Sequence, residues 1–182
     1  MTHRRLTLPM SCCLVALGLV PARVAAQSCS APIPAGSCTA STSTTMIVGT
    51  VLQLALSASS TTLTPPTTAG YDAGFVADNG PAATVKSNRS WALQIAAAAA
   101  FWTASNTTAG VSARVNKPAA DLQWSGSPAG PFVGVTVAGT TFTSGSATGG
   151  TTTTISYHTL YNWMLDTPGA YSLVVVLTLS AP

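Results

Sequence analysis

Apolar and polar residues alternate with a period of two through much of the chain beyond residue 50. Leucines occupy every second position over 52–56, and apolar residues do the same over 91–95 and 171–179. Further runs of the same kind lie at 111–115, 133–137 and 155–165. Because successive side chains of a β-strand point to opposite faces, this pattern predicts strands with one buried face.

Turn-forming residues separate these runs. Asn79-Gly80-Pro81, Gly130-Pro131 and Pro168-Gly169 are examples, and glycine and proline are the residues that most strongly interrupt regular structure. Short strands with turns every 8–12 residues predict an all-β fold, an antiparallel Ig-like (immunoglobulin-like) β-sandwich of about 7–9 strands. The alanine run at 96–100 is expected to be a strand end or a single helical turn, and the Thr/Gly/Ser tract at 139–154 a long hairpin or mobile loop.

The first 26 residues have the layout of a secretory signal peptide. A basic start is followed by an apolar stretch and then by small residues at Val24-Ala25-Ala26. We therefore predict a signal peptide at 1–26, a Ser/Thr/Pro-rich lead-in at 27–45, and one sandwich domain at 46–182. The protein is expected to be exported to the periplasm, the extracellular space or the cell surface, with no membrane span after cleavage. In that oxidising environment Cys29 and Cys38 are predicted to form a disulfide.

Charge is almost absent once the leader is removed. The chain has seven Lys and Arg, three of them in the leader, and four Asp with no Glu, so the remainder carries no formal net charge. This balance provides no basic face for nucleic acid or for an anionic membrane surface. Arg114 and Lys117, like Lys86 and Arg89, are expected to be solubilising charges at strand ends and edges.

The C-terminal segment resembles the last hairpin of bacterial immunoglobulin-like domains. A Pro-Gly turn at Pro168-Gly169 precedes Tyr171 and an alternating final strand, and Trp91 corresponds to a central core tryptophan. The tail is also similar to that of fimbrial subunits, because Gly169 is the fourteenth residue from the end. The chain departs from that pattern in its penultimate Ala181, where fimbrial subunits have an aromatic, and in its polar lead-in. The resemblance implies a secreted surface protein, loosely fimbrial-like or spore-coat-U-like.

Aromatic residues provide the main candidate ligand contacts. Trp91 and Trp163 share the parity of apolar strand positions and are expected to be buried, whereas Trp102 and Trp124 are less clearly so. Exposed aromatic rings flanked by hydrogen-bonding side chains are typical of sugar-binding surfaces. The predicted ligand contacts are Trp102, Trp124, Asp121 and Gln123.

Metal binding and catalysis have weaker support in the sequence. Asp72, Asp78 and Asn79 offer the oxygen ligands that calcium prefers, but the simpler interpretation is that their side chains bond backbone amides in turns. A Ser-His-Asp triad would need His158 with Asp166, and no Gly-x-Ser-x-Gly motif is present. We therefore predict no enzymatic activity and no cofactor.

The sequence thus favours a secreted structural or adhesive module that acts by protein–protein contact. Its expected partners are other surface or pilin-like subunits, including copies of itself, joined by pairing of strand edges. The alternative is a carbohydrate-binding module that uses exposed tryptophans.

Overall fold

A computed structural model describes residues 37–182 of the chain. The chain divides into two compact units, Met1–Ile47 and Val48–Pro182. In the first unit, the described residues 37–47 have no regular secondary structure and are exposed. The predicted signal peptide at 1–26 and Cys29 lie outside the described residues.

Ten strands, one short α-helix and one turn of 3₁₀ helix form the second unit. The strands are β1 (Leu52–Leu56), β2 (Phe75–Ser87), β3 (Trp91–Ala97), β4 (Thr103–Ser105), β5 (Leu122–Ser125), β6 (Val133–Gly134), β7 (Thr140–Gly145), β8 (Thr148–Leu160), β9 (Ala170–Ser172) and β10 (Val175–Ser180). The helix α1 covers Thr68–Ala73, and the 3₁₀ helix covers Ala119–Asp121. Among these residues no helix combines the length and the apolar character that crossing a bilayer requires.

Every strand pairing is antiparallel. The larger sheet has the order β1-β2-β8-β5-β6, a three-stranded sheet has the order β10-β3-β7, and β4 pairs with β9. The inner faces of the two larger sheets meet in a shared core, since Ile95 of β3 packs with Leu122 of β5 and Ile155 of β8. The prediction of an all-β sandwich is confirmed.

A second cluster of buried residues, which we call the closed core, lies between β1, β2, β3 and β10. It consists of Ala83, Val85, Trp91 and Leu93, each at most 2% exposed. Leu52, Leu54, Leu177 and Leu179 pack around it. The leucines of this cluster are positions that the period-two pattern assigned to buried strand faces, and Trp91 is the tryptophan predicted to be buried. Ala83 and Val85 lie outside the alternating runs that the sequence showed.

The strand pattern differs from the prediction at four places, one of which is the run at 155–165, where β8 ends at Leu160. Residues 111–115 alternate but form no strand, and of the run at 133–137 only Val133–Gly134 pairs. In contrast, Asn79-Gly80-Pro81 does not end a strand, because β2 continues through it with a register shift between Asn79 and Ala82. A β-bulge of this kind accepts glycine and proline inside a strand. At Gly80 a Cβ atom would overlap the ring of Tyr157, so the bulge requires glycine.

The two ambiguous segments are regular in the structure. β3 runs to Ala97 and is followed by bends at 98–100, so the alanine run begins as a strand end. The Thr/Gly/Ser tract forms β7 and the first part of β8. These two strands pair in different sheets and not with each other, so the tract is neither the long hairpin nor the mobile loop that was expected.

Candidate functional site

A groove opens between the two larger sheets, beside the closed core, since Leu177 both lines the groove and packs against that core. Its volume is about 810 Å³. One wall consists of residues 58–66, which follow β1, and the other of residues 168–175, which lead into β10. Its apolar lining includes Leu63, Leu122, Leu173, Val175 and Leu177. Because β1 and β10 are outer strands of their sheets, the groove lies where the sandwich presents two strands with an unpaired edge.

Two buried polar groups in the groove lining have no hydrogen-bond partner within residues 37–182. They are the indole Nε1 of Trp102, which is 6% exposed, and the hydroxyl Oγ1 of Thr159, which is 2% exposed. A buried donor or acceptor without a partner costs about 1–3 kcal/mol, so such groups are rare in folded proteins. Trp91 differs, because its Nε1 donates to the carbonyl oxygen of Ser146 at 2.9 Å.

An ion cluster contributes Lys117 and Asp166 to the groove lining. The Lys117 ammonium, whose side chain is 2% exposed, donates to Asp166 Oδ1 at 3.0 Å, to Asp121 Oδ2 at 3.2 Å and to the Leu160 carbonyl oxygen at 2.7 Å. Arg114 pairs with Asp166 Oδ1 at 3.0 Å and with Asp121 Oδ2 at 3.5 Å. The prediction that Arg114 and Lys117 are solubilising surface charges is therefore wrong. Two cations and two carboxylates satisfy one another there and leave the cluster without net charge.

Tyrosines surround this cluster. The hydroxyl of Tyr71 donates to the Asp166 carbonyl oxygen at 3.1 Å, and that of Tyr171 donates to the Thr167 carbonyl oxygen at 2.6 Å. The Lys117 ammonium lies 5.0 Å from the centroid of the Tyr161 ring, within the range of a cation–π contact. Burial, assisted by Asp78, Tyr71 and Asp166, raises the pKa of Tyr161 to about 12. The phenol therefore stays neutral at physiological pH.

Three of the four tryptophans have the opposite exposure to the one predicted, whereas Trp91 is buried as expected. Trp102 and Trp124 are 6% and 7% exposed, so the expectation that they lie at the surface is wrong. Trp163, expected in the core, is 57% exposed because β8 ends at Leu160 and a turn follows. Its ring stacks on Tyr71 with centroids 4.4 Å apart, and its Nε1 donates to Asp72 Oδ1 at 3.1 Å.

The predicted ligand contacts are not brought together. Asp121 belongs to the ion cluster, whereas Gln123 pairs in register with His158 across β5 and β8. Trp102 lines the groove, and Trp124 packs edge-on against Phe142 in the core. Ligand contact at these four residues stays a prediction, and Trp102 is the one among them with a lining position.

The two aspartates proposed for calcium have separate partners. Asp78 accepts hydrogen bonds from the backbone N–H and the hydroxyl of Thr64, and Asp72 accepts from Trp163. No group of three or more His, Cys, Asp or Glu side chains that could hold a metal ion occurs within residues 37–182. A calcium site at Asp72, Asp78 and Asn79 gains no support from this arrangement.

His158 lies on the outer face of the larger sheet, away from Asp166. Its ring stacks between Phe132, at 3.5 Å between centroids, and Phe75, at 4.2 Å. Burial between the two rings lowers its pKa. Asp166 is instead engaged by Lys117 and Arg114, so the His158–Asp166 pair that a Ser-His-Asp triad would need is not formed.

Sequence reasoning missed the residues that build the groove. Thr159 and the segment 58–66 carry no motif, and the pairing of Lys117 with Asp166 spans 49 positions. Only the spacing of Lys117 and Asp121 pointed toward an ion pair, since residues four apart lie close in a helical turn. The predicted disulfide of Cys29 with Cys38 stays a prediction, because Cys29 lies outside the described residues.

Comparison with known proteins adds no relative to this description. No protein-family model, no curated protein and no solved structure matches the chain. The resemblance to fimbrial and spore-coat-U-like proteins therefore stays a prediction that rests on the residues named for it.

Proposed function

We propose that this protein is a secreted surface module that binds an extended strand of a second copy of itself in the groove between its sheets. Apolar side chains of the inserted strand would pack on the groove lining, and its backbone would pair with an open strand edge. Such strand addition takes its affinity from main-chain hydrogen bonds and its specificity from alternate side chains. The observation that carries this proposal is an apolar groove of about 810 Å³ beside two outer strands.

A suitable strand is present in the same chain. Met46, Ile47 and Val48 are 81%, 93% and 69% exposed, in a segment without regular secondary structure. Asn88 holds the segment from Gly49 onward, since its side chain donates to the Gly49 carbonyl oxygen and accepts from the Val51 N–H. The residues before Gly49, which we call the exposed segment (residues 44–48), are therefore the ones available to another molecule. Three consecutive exposed apolar residues suit a partner surface better than water.

Charge and symmetry favour a second copy as the occupant. Within residues 37–182 the charged groups at the groove neutralise one another, and the exposed segment carries no charge, so neither side repels the other. A contact between a segment of one copy and a groove of the next is head-to-tail. Such contacts extend into a chain of molecules unless the rotation closes a ring.

Complementation between two variants tests this proposal. In the first, Met46→Ser, Ile47→Ser and Val48→Ser remove the apolar strand; in the second, Leu177→Arg places a charge in the groove. Each alone should sediment as a monomer, and their mixture should form a 1:1 dimer, because only one groove and one strand remain competent. Val176→Arg, on the adjacent residue outside the groove lining, is the control and should still assemble. Strictly monomeric behaviour of the unaltered mature chain and of the mixture would contradict the proposal.

A second candidate function, glycan binding, is favoured by Trp163. Its ring is exposed, yet fixed by stacking on Tyr71 and by the hydrogen bond to Asp72. A fixed aromatic surface beside an exposed carboxylate suits a sugar ring. Binding on a glycan array that Trp163→Ala abolishes and Trp124→Phe preserves would support this function. Absence of binding to the unaltered protein would exclude it for the sugars on the array.

A further inference from the structure

We infer that Trp102 and Thr159 form a polar subsite in the groove, which recognises a hydroxyl- or amide-bearing side chain of the inserted strand and thereby fixes its register. The inference rests on the proposed strand-binding function and concerns its specificity. The partner side chain it selects is Ser, Thr, Asn or Gln at one inward-facing position, with apolar side chains at the neighbouring inward positions.

Burial of two unpaired polar groups is the observation behind this subsite. Trp102 and Thr159 are 94% and 98% buried, and both line the groove. Neither the indole Nε1 nor the hydroxyl Oγ1 has a hydrogen-bond partner within residues 37–182. The surrounding lining includes Leu122 and Tyr157, which supply an apolar environment. In such surroundings an unpaired polar group is costly, and a ligand that pairs it recovers that cost.

The chemistry of the two groups defines what they recognise. An indole N–H only donates, whereas a hydroxyl both donates and accepts. A hydroxyl or a side-chain amide can accept from Trp102 and exchange a hydrogen bond with Thr159, but an aliphatic side chain can do neither. A carboxylate is disfavoured, because the three N–H groups of the nearby Lys117 are already engaged by Asp166, Asp121 and the Leu160 carbonyl oxygen. It would therefore be buried without a counter-ion.

The exposed segment has a matching pattern. In an extended strand Thr44 shares a face with Met46 and Val48, and Thr45 shares the opposite face with Ile47. Either face therefore presents one threonine hydroxyl followed by apolar side chains. Polar residues precede these threonines, so a slip of two positions would put a polar group against the apolar lining. A single polar subsite is sufficient to discriminate between such registers, because a mismatched pair leaves buried groups unpaired.

The test uses a peptide of residues 39–50 and the mature chain with Met46→Ser, Ile47→Ser and Val48→Ser, whose groove is unchanged. Binding is measured by titration calorimetry with the unaltered peptide and with peptides carrying Thr44→Val or Thr45→Val. One of the two substitutions should weaken binding about 5-fold, the loss expected for a neutral hydrogen bond. In Thr159→Val and in Trp102→Phe that loss should shrink, because each variant removes one of the two partners of the hydroxyl. In the double variant the loss should fall below 2-fold, because the groove then has no partner for the hydroxyl.

Trp124→Phe is the matched control for the groove variants. Its indole Nε1 is also buried without a hydrogen-bond partner in the part of the chain that the structure describes. Trp124 does not line the groove, so the threonine preference should persist. Peptide substitutions leave the protein unaltered, and Thr159→Val keeps the side-chain shape, so a folding defect in Trp102→Phe does not decide the outcome. Binding that is equal for the threonine and valine peptides would overturn the subsite while the strand-binding function stands. Absence of any peptide binding would overturn the proposed function itself.

Discussion

The closed core and the groove both bury a tryptophan, but they differ in how its indole N–H is paired. In the closed core, Trp91 is buried with its indole N–H bonded to Ser146, and Leu93 beside it is fully buried. At the groove, Trp102 is equally buried but its indole N–H has no partner within residues 37–182, and Leu173 is only half-buried. The closed core is therefore fully packed with its polar groups paired, whereas the groove is a buried region that is open on one side.

This contrast indicates where stability and recognition are located. Fully buried apolar side chains contribute most to folding, because their removal both exposes area and leaves a cavity. A half-covered apolar wall with unpaired polar groups contributes less and gains when another molecule covers it. Under the proposed function, neighbouring regions of one sandwich therefore serve folding and binding separately.

The largest effect is expected from the ion cluster in the groove lining. Asp166→Ala leaves the Lys117 ammonium buried without its principal carboxylate, which should cost about 3–5 kcal/mol in urea unfolding. Asp121→Ala, with a side chain 22% exposed, should cost about 1 kcal/mol. Combining Asp166→Ala with Lys117→Met should recover much of the loss, since the unpaired charge is gone. Equal losses for the two aspartates would show that burial of the pair does not govern its contribution.

Matched leucine truncations compare the stability contributed by the closed core with that contributed by the groove. Leu93→Ala in the closed core should lower the free energy of unfolding by about 3 kcal/mol, whereas Leu173→Ala on the groove wall should lower it by about 1 kcal/mol. Both are measured by urea unfolding at a low protein concentration, so that association does not contribute. If Leu173→Ala were as costly as Leu93→Ala, the groove wall would be part of the stabilising interior.

Two buried hydroxyls should respond with opposite signs. Thr159→Val removes an unpaired polar group and should raise the free energy of unfolding by about 1 kcal/mol. Ser87→Ala should lower it by about 1 kcal/mol, because the Ser87 hydroxyl donates to the Arg89 carbonyl oxygen and accepts from the Arg89 N–H. Thermal unfolding of the unassembled chain gives both values. A destabilised Thr159→Val would mean that the hydroxyl already has a partner in the free protein.

The smallest effect on stability is expected from His158, which belongs neither to the closed core nor to the groove lining. Its folded-state pKa lies below the unfolded value of 6.5, so the unfolded chain takes up the proton more readily. Stability attributable to this residue is therefore fully present above about pH 6.5 and is lost as the pH falls toward the folded-state pKa. In His158→Gln, unfolding measured from pH 8 to pH 5 should lack this decline. Parallel pH profiles for the two proteins would contradict the shift.

The alternating pattern predicts strands correctly where its apolar positions are the buried ones. The alternation over 52–56, 91–95 and 171–179 corresponds to β1, β3 and the β9–β10 region, because a half-buried strand leaves a period-two trace. It failed at 111–115, where alternating residues have no neighbouring strand, and at Gly80, where a bulge carries the chain through a turn-like motif. A periodic pattern specifies a face but not the partner that covers it.

The candidate site was largely beyond prediction. Trp102 was predicted to contact a ligand because it was expected to be exposed, but it is buried. Trp163 was predicted to be in the core, but it is exposed. Exposure of an aromatic ring depends on where its strand ends, and β8 ends three residues before Trp163. The groove is lined by segments more than 100 positions apart, so its shape depends on how the sheets are placed.

By itself, the sequence determined that this chain folds as an antiparallel sandwich with Trp91 in its interior, because alternation and turn residues act over short distances. Only the tertiary structure decided which polar groups are paired. Lys117 and Asp166 meet across 49 positions, whereas Trp102 and Thr159 are buried without partners within the described residues. A hydrogen bond or ion pair of this kind requires that the fold bring two groups from distant parts of the chain into contact. No local pattern in the sequence encodes which distant groups meet, so the pairing at Lys117 and the unpaired groups of the groove are visible only in the tertiary structure.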